Sequence, residues 1–125
     1  TGGTKGERKE LIKEELHKIL KNAFSLNKIH SEYGMTELLS QSYSKEDNIF
    51  KSPAWKKILI RDVNDPLTII GNDKTGGINI IDLANIYSCP FIATQDLGKT
   101  FDDGSFSVLG RFDSSDVRGC NLLVQ

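Results

Sequence analysis

Asp102-Asp103-Gly104, set between the runs Pro90-Phe91-Ile92-Ala93-Thr94-Gln95 and Ser105-Phe106-Ser107-Val108-Leu109-Gly110-Arg111, decides how this 125-residue chain folds. Both runs carry β-branched and aromatic residues, and Asp-Gly readily takes the positive φ that a tight turn needs. The spacing predicts strands at 90–95 and 105–111, joined as a hairpin that sets Thr94–Asp96 beside Gly110 and Arg111. Toward the amino terminus, similar short runs predict strands near 28–32, 57–63, 67–71 and 77–82, with Asn64-Asp65-Pro66 and Gly76-Gly77 as breaks. Ahead of them, Leu11, Ile12, Leu16, Ile19, Leu20, Ala23 and Phe24 recur at helical spacing while lysines and glutamates fill the other face, which predicts an amphipathic helix over 7–24. Thr4 and Glu7 stand at capping-box spacing, and Glu14 with Lys18 forms an i,i+4 pair of the favourable orientation. One helix followed by many strands makes the expected fold α+β, mainly β, built as a sheet or a distorted barrel.

Composition narrows the function classes. A chain of 125 residues encloses one modest core, and 38% hydrophobic with 26% charged residues is ordinary for a globular protein. A net charge of -1 supplies no field to draw nucleic acid or anionic lipid, so neither is an expected partner. Cys89 and Cys120 are far apart and lack a second Cys or His at metal-ligand spacing, so neither a zinc site nor a disulfide framework is signalled. A reducing cytoplasm fits that usage. No apolar run approaches the roughly 20 residues of a membrane span, and the amino terminus lacks the pattern of a signal peptide. The opening Thr1-Gly2-Gly3-Thr4-Lys5-Gly6 has no initiator methionine and reads as a loop that follows a missing strand, so a fragment is expected.

Tyr33-Gly34-Met35-Thr36-Glu37 places an aromatic face, a flexible glycine, a hydroxyl and a carboxylate within one short stretch. A second group follows in Thr94-Gln95-Asp96-Leu97-Gly98, Asp103-Gly104 and Gly110-Arg111-Phe112-Asp113. Activating a carboxylic acid with ATP requires a surface for adenine, partners for the ribose hydroxyls, a metal at the phosphates, and alignment at the α-phosphorus. Tyr33 offers a flat face, Thr36 a hydroxyl for a phosphate oxygen, and Glu37 a hard oxygen ligand for Mg²⁺. Asp96 can accept from two adjacent ribose hydroxyls, and Arg111 can donate to ribose or phosphate from its planar fork. Taken alone, the first motif reads equally as a strand end with an ordinary turn.

The order of these motifs resembles that of the adenylate-forming superfamily, which includes acyl-CoA synthetases, luciferases and peptide-synthetase adenylation domains. There a Gly-Gly loop precedes a helix, Tyr-Gly-x-Thr-Glu follows, and then come a ribose-binding Asp and Gly-Arg-x-Asp. Gly2-Gly3, Tyr33 to Glu37, Asp96, and Gly110 to Asp113 occur in that order here. Within the superfamily the chain looks most like the acyl-protein synthetases of the LuxE type, and next like phenylacetate-CoA ligases. That likeness rests on Tyr33 to Leu38 with Ser40-Gln41, and on Leu109 to Asp113 through Asp116-Val117-Arg118-Gly119-Cys120. The resemblance implies a ligase that makes an acyl-adenylate from ATP and a carboxylic, expectedly fatty, acid and passes the acyl group to a thiol on a protein or on CoA. It implies cofactor contacts from Gly2, Gly3, Tyr33, Gly34, Thr36, Asp96 and Arg111, a metal contact from Glu37, and a hinge at Asp113. Residues 1–45 would hold the Gly loop, the helix and the first motif, and 46–125 a β-rich part ending at the hinge, together the carboxy-terminal part of a large adenylating domain.

The sequence also departs from that pattern. The Ser/Thr/Gly-rich phosphate loop and the later domain with the catalytic lysine are missing, so the chain alone is expected to be inactive. Gln95 stands where many relatives have glycine. Cys120 matches the position of an acyl-carrying cysteine, but Cys-Asn-Leu-Leu-Val also suits a buried small hydrophobe. Asp113 reads equally as a hinge and as a cap. His17 is placed on the solvated face of the helix, and His30 in the core or at a strand edge rather than at an acyl site. A non-catalytic α+β interaction module is the reading of another class.

Overall fold

The computed structural model describes residues 13–45 and 47–112. Gly2, Gly3, Asp113 and Cys120, and the expected helix start at Thr4 and Glu7, lie outside the described residues. The helix α1 spans Lys13–Phe24. It ends where Ser25 takes φ 53° and the Leu26 amide donates to the Lys21 carbonyl at 3.0 Å, the bond of a Schellman stop. Leu16, Ile19 and Phe24 on its apolar face are exposed among the described residues. His17, expected in solvent, is half-buried with Nε2 3.0 Å from the Ser31 hydroxyl, because the chain returns past the helix into the first strand.

Eight strands follow among the described residues: β1 Ser31–Tyr33, β2 Ser42–Ser44, β3 Ile49–Phe50, β4 Lys56–Arg61, β5 Ile69–Ile70, β6 Gly76–Asp82, β7 Phe91–Thr100 and β8 Phe106–Arg111. β1 and β2 form a small antiparallel sheet, and the others form one six-stranded sheet in the order β3-β8-β7-β6-β4-β5. All the described pairings are antiparallel. The fold is therefore α+β with an open sheet, and the barrel form is not closed. The predicted hairpin is present, with Thr100 opposite Phe106 and Gly104 at φ 78° in the turn. Asp103 fastens that turn by accepting from the Ser105 amide at 2.9 Å and from the Ser105 hydroxyl. β7 runs on past Gln95 to Thr100 because β8 supplies partners for its second half.

β2 and β3 were not expected. Gly76-Gly77, expected as a break, begins β6 instead. A Cβ on Gly76 would fall 2.2 Å from the Arg61 carbonyl oxygen, so that glycine lets the β4 backbone come close, and one on Gly77 would fall 2.5 Å from the Arg61 guanidinium carbon, so that glycine leaves room for the Arg61 side chain. Alternation along β4 and β6 sends Ile58, Ile60, Ile78 and Ile80 to one face, paired Ile58 with Ile80 and Ile60 with Ile78. They join Tyr33, Leu38, Phe50 and Phe106 in the core. Each such fully buried side chain contributes about 1.5–3 kcal/mol.

Candidate functional site

Two irregularities in the sheet meet at Asp96. On β6 only Ile78 lies between Gly77 and Asn79, whereas Thr94, Gln95 and Asp96 lie between their partners Ala93 and Leu97 on β7. On the other side, Leu97 and Gly98 pair with Gly110 and Val108, which leaves Leu109 as an extra residue on β8. Bulges of this kind re-aim side chains and commonly flank functional sites. Arg61 braces the first bulge from behind, donating from Nη1 to the Ile78 carbonyl at 3.0 Å and to Asn79 Oδ1 at 2.6 Å, and from Nη2 to the Thr94 carbonyl at 2.6 Å. The Thr94 hydroxyl donates to the Ile78 carbonyl at 2.9 Å and accepts from the Asp96 amide at 3.1 Å.

The result is a three-residue cluster drawn from distant parts of the chain. The Tyr33 hydroxyl donates to Asp96 Oδ2 at 2.7 Å, and Arg111 Nε stands 3.5 Å from Asp96 Oδ1. Asp96 and Arg111 are register partners, so the hairpin alone sets their proximity. Tyr33 comes from β1, with its ring against Phe50 at 6.0 Å and Phe106 at 5.5 Å between centroids. Burial, reinforced by the Asp96 carboxylate, pushes the Tyr33 phenol well above its ordinary range, so it stays a proton donor. The Asp96 side chain is 16% exposed and that of Arg111 74%, so the carboxylate keeps an open side and the guanidinium can swing. A carboxylate has about four acceptor positions, so two partners leave room for more.

Thr36 and Glu37 take a different place. Both are exposed on the turn after β1, where the Leu38 amide donates to the Met35 carbonyl at 3.1 Å. Gly34 leaves room for the end of the Gln41 side chain, since a Cβ there would fall 1.5 Å from Gln41 Oε1. Just beyond the turn lies a polar group that the motifs did not signal. Asp82 accepts from the Ser40 amide at 2.9 Å, the Ser40 hydroxyl at 2.7 Å and the Ala84 amide at 3.1 Å. Trp55 Nε1 donates to the Ser40 hydroxyl at 2.9 Å, and Lys56 Nζ donates to the Ser40 carbonyl at 3.1 Å. Burial alone would raise the Asp82 pKa, but the Ser40 and Ala84 donors outweigh it and hold the carboxyl below its ordinary value. Burial lowers that of Lys56, which Asp82 only partly offsets. Lys56 and Asp82 occupy the inward phase of β4 and β6, and a charge in an apolar phase is the signal that could have found them.

Among the described residues, no group of three or more His, Cys, Asp or Glu side chains is arranged to hold a metal ion. Glu37 is a single carboxylate on an exposed turn, a donor that suits a cation held mainly by substrate phosphates. Cys89 is an exposed free thiol and His30 is exposed just before β1. An open cavity of about 580 Å³ lies elsewhere, lined by residues including Lys57, Leu59, Ile69, Asn72, Phe101 and Asp102, and none of Tyr33, Thr36, Glu37, Asp96 or Arg111 lines it. No helix among the described residues is long and apolar enough to cross a membrane.

Fold and cluster together define an antiparallel α+β chain with an acid-base pair on a bulged hairpin and a tyrosine brought in from outside it. The same fold occurs in the luciferase-like enzyme of the nonluminescent mealworm Zophobas morio, at a TM-score of 0.56 and 20% identity over 81% of this chain. The match takes in 30% of that enzyme, so the chain spans less than a third of its length. No family model matches the sequence, and no curated protein does.

Proposed function

We propose that this chain is the ribose-binding and phosphate-facing portion of an ATP-dependent acyl-adenylate-forming ligase. The observation that carries the proposal is the meeting of Tyr33, Asp96 and Arg111, residues named from motif order in separate parts of the sequence, around one carboxylate. The fold shared with a luciferase-like enzyme supports it, since luciferases are among the families whose motif order the sequence resembles. On this reading Asp96 accepts the two ribose hydroxyls through its open side. Tyr33 holds that carboxylate in place through its hydroxyl, because a ring 9% exposed presents little face for stacking. Arg111 reaches ribose or phosphate, and Thr36 and Glu37 face the phosphates, with Glu37 supplying one oxygen to Mg²⁺. The finer assignment is an acyl-protein synthetase acting on a fatty acid, with Cys120 as acyl carrier and Asp113 as hinge. A phenylacetate-type CoA ligase differs from it only in acid and acceptor.

The test is calorimetric titration of the protein carrying this chain with AMP and with its 2′,3′-dideoxy analogue. AMP is expected to bind, with a loss of about tenfold or more for the analogue, because two hydrogen bonds to a charged group disappear. Asp96→Ala should erase the difference between the two ligands. Equal affinity for both ligands in the parent protein would exclude ribose recognition by Asp96. Absence of AMP binding would favour the interaction-module reading. Pyrophosphate exchange across fatty and aromatic acids then separates the two ligase types.

A further inference from the structure

Asp82 and Asn85 are 0% and 1% exposed, and the ribose cluster uses neither. A buried carboxylate and a buried amide are costly unless their hydrogen bonds are made. Here most of those bonds go to one short segment far away in sequence. Asn85 Oδ1 accepts from the Leu39 amide at 2.9 Å, and its Nδ2 donates to the Glu37 carbonyl at 2.5 Å. Asp82 takes both donors of Ser40, as described, while Lys56 and Trp55 reach the same residue from β4 and from just before it. Residues 37–40 are thus gripped at one carbonyl by Asn85, at two amides by Asn85 and Asp82, and at a second carbonyl by Lys56. Leu38, between them, is 4% exposed and anchors the same stretch in the core. Asp82 also caps the one-turn 3-10 helix Leu83–Asn85, which fixes Asn85 relative to β6. Lys56 Nζ lies 5.5 Å from the centroid of the Tyr33 ring, so the same group borders the other end of the motif.

We propose that Asp82 and Asn85 form a positioning socket for the Thr36–Glu37 turn, holding its backbone so that the hydroxyl and the carboxylate are presented to phosphate and metal in one attitude. The inference rests on the reading of the chain as a nucleotide site. The socket touches no substrate: it acts through the Glu37 carbonyl and the Leu39 and Ser40 amides. Its loss is therefore expected in turnover rather than in ground-state nucleotide affinity, which belongs to Asp96.

Asn85→Asp keeps an acceptor for the Leu39 amide and turns an acceptor, not a donor, toward the Glu37 carbonyl. In the protein carrying this chain, kcat for ATP-pyrophosphate exchange should fall about tenfold to a hundredfold, the scale of a displacement of about 1 Å at a reacting centre. KM for ATP and the Kd for AMP should stay within about threefold. Amide hydrogen exchange should quicken at residues 36–40 while β4 and β6 keep their protection. An active parent whose Asn85→Asp form keeps its kcat, or loses AMP affinity in step with kcat, overturns the proposal. If Asn85→Asp does not fold, Ser40→Ala removes the hydroxyl that joins Asp82 to Trp55 and leaves the backbone contacts. It should cut kcat by about threefold to tenfold at constant KM, and an unchanged kcat again overturns the socket. A parent that binds no AMP refutes the ribose reading instead. Hydrogen exchange then decides the socket by itself, with faster exchange confined to 36–40 supporting it and unaltered exchange overturning it.

Discussion

Tyr33→Phe removes one O–H donor from a carboxylate 2.7 Å away and leaves the ring contacts to Phe50 and Phe106 in place. A hydrogen bond to a charged group contributes about 1.5–3 kcal/mol, and the remaining contact of Asp96 with Arg111 at 3.5 Å does not replace it. Because the Asp96 side chain is 16% exposed, water recovers part of the loss, and the expected destabilisation is about 1–2 kcal/mol. Urea unfolding of Tyr33→Phe, Asp96→Ala and the double variant isolates the pair, and its coupling should be about 1–2 kcal/mol. The same bond has an alkaline signature. Burial and Asp96 raise the folded-state pKa of Tyr33 above its ordinary value of 10.0, so above that pH the unfolded chain releases a proton that the folded protein keeps. Stability from this group is therefore full below pH 10.0 and is lost as the pH climbs toward the folded value. Tyr33→Phe should flatten that limb. A coupling below about 0.5 kcal/mol, together with an unaltered alkaline limb, would refute the contact and with it the convergence on Asp96.

Asp82 gives the opposite limb. Its folded-state pKa is depressed below 3.8, so its contribution is present above that pH and lost as the pH falls through the folded value. Asp82→Asn should reduce stability at neutral pH by about 1–3 kcal/mol and flatten the acid limb, and urea midpoints across the acid range that run parallel to the parent would contradict this. Gly34→Ala places a Cβ 1.5 Å from Gln41 Oε1, the far end of a flexible side chain that can swing aside, so the cost should stay within about 1 kcal/mol. A larger fall in melting temperature that Gln41→Ala does not restore would mean that Gly34 is required for another reason.

The hairpin was legible because its signals are local. Asp-Gly chemistry and the two flanking runs need no knowledge of the rest of the chain, and the register they set brings Arg111 to Asp96. β2 was not legible for a physical reason. Its inward residues are Ser42 and Ser44, 0% and 2% exposed, and Tyr43 points outward, so the usual alternation is inverted. Ser42 is tolerated inside because its hydroxyl lies 2.9 Å from that of Ser52, a partner no periodicity reveals. Asp82 was legible only as a charge in the apolar phase of its strand; that its partner is Ser40, 42 positions away, was not.

From its residues alone the chain declares an α+β order and the turn that joins β7 to β8, and it offers the side chains on which the nucleotide proposal rests, since propensity, alternation and functional-group chemistry belong to short stretches. Only the tertiary structure decided that the Tyr33 hydroxyl ends on Asp96, that the barrel stays open, and that Asp82 and Asn85 grip the segment after Glu37. Those outcomes depend on bulges and buried hydrogen bonds between segments more than forty positions apart. Such bonds form where packing delivers both partners, and no local pattern encodes the delivery.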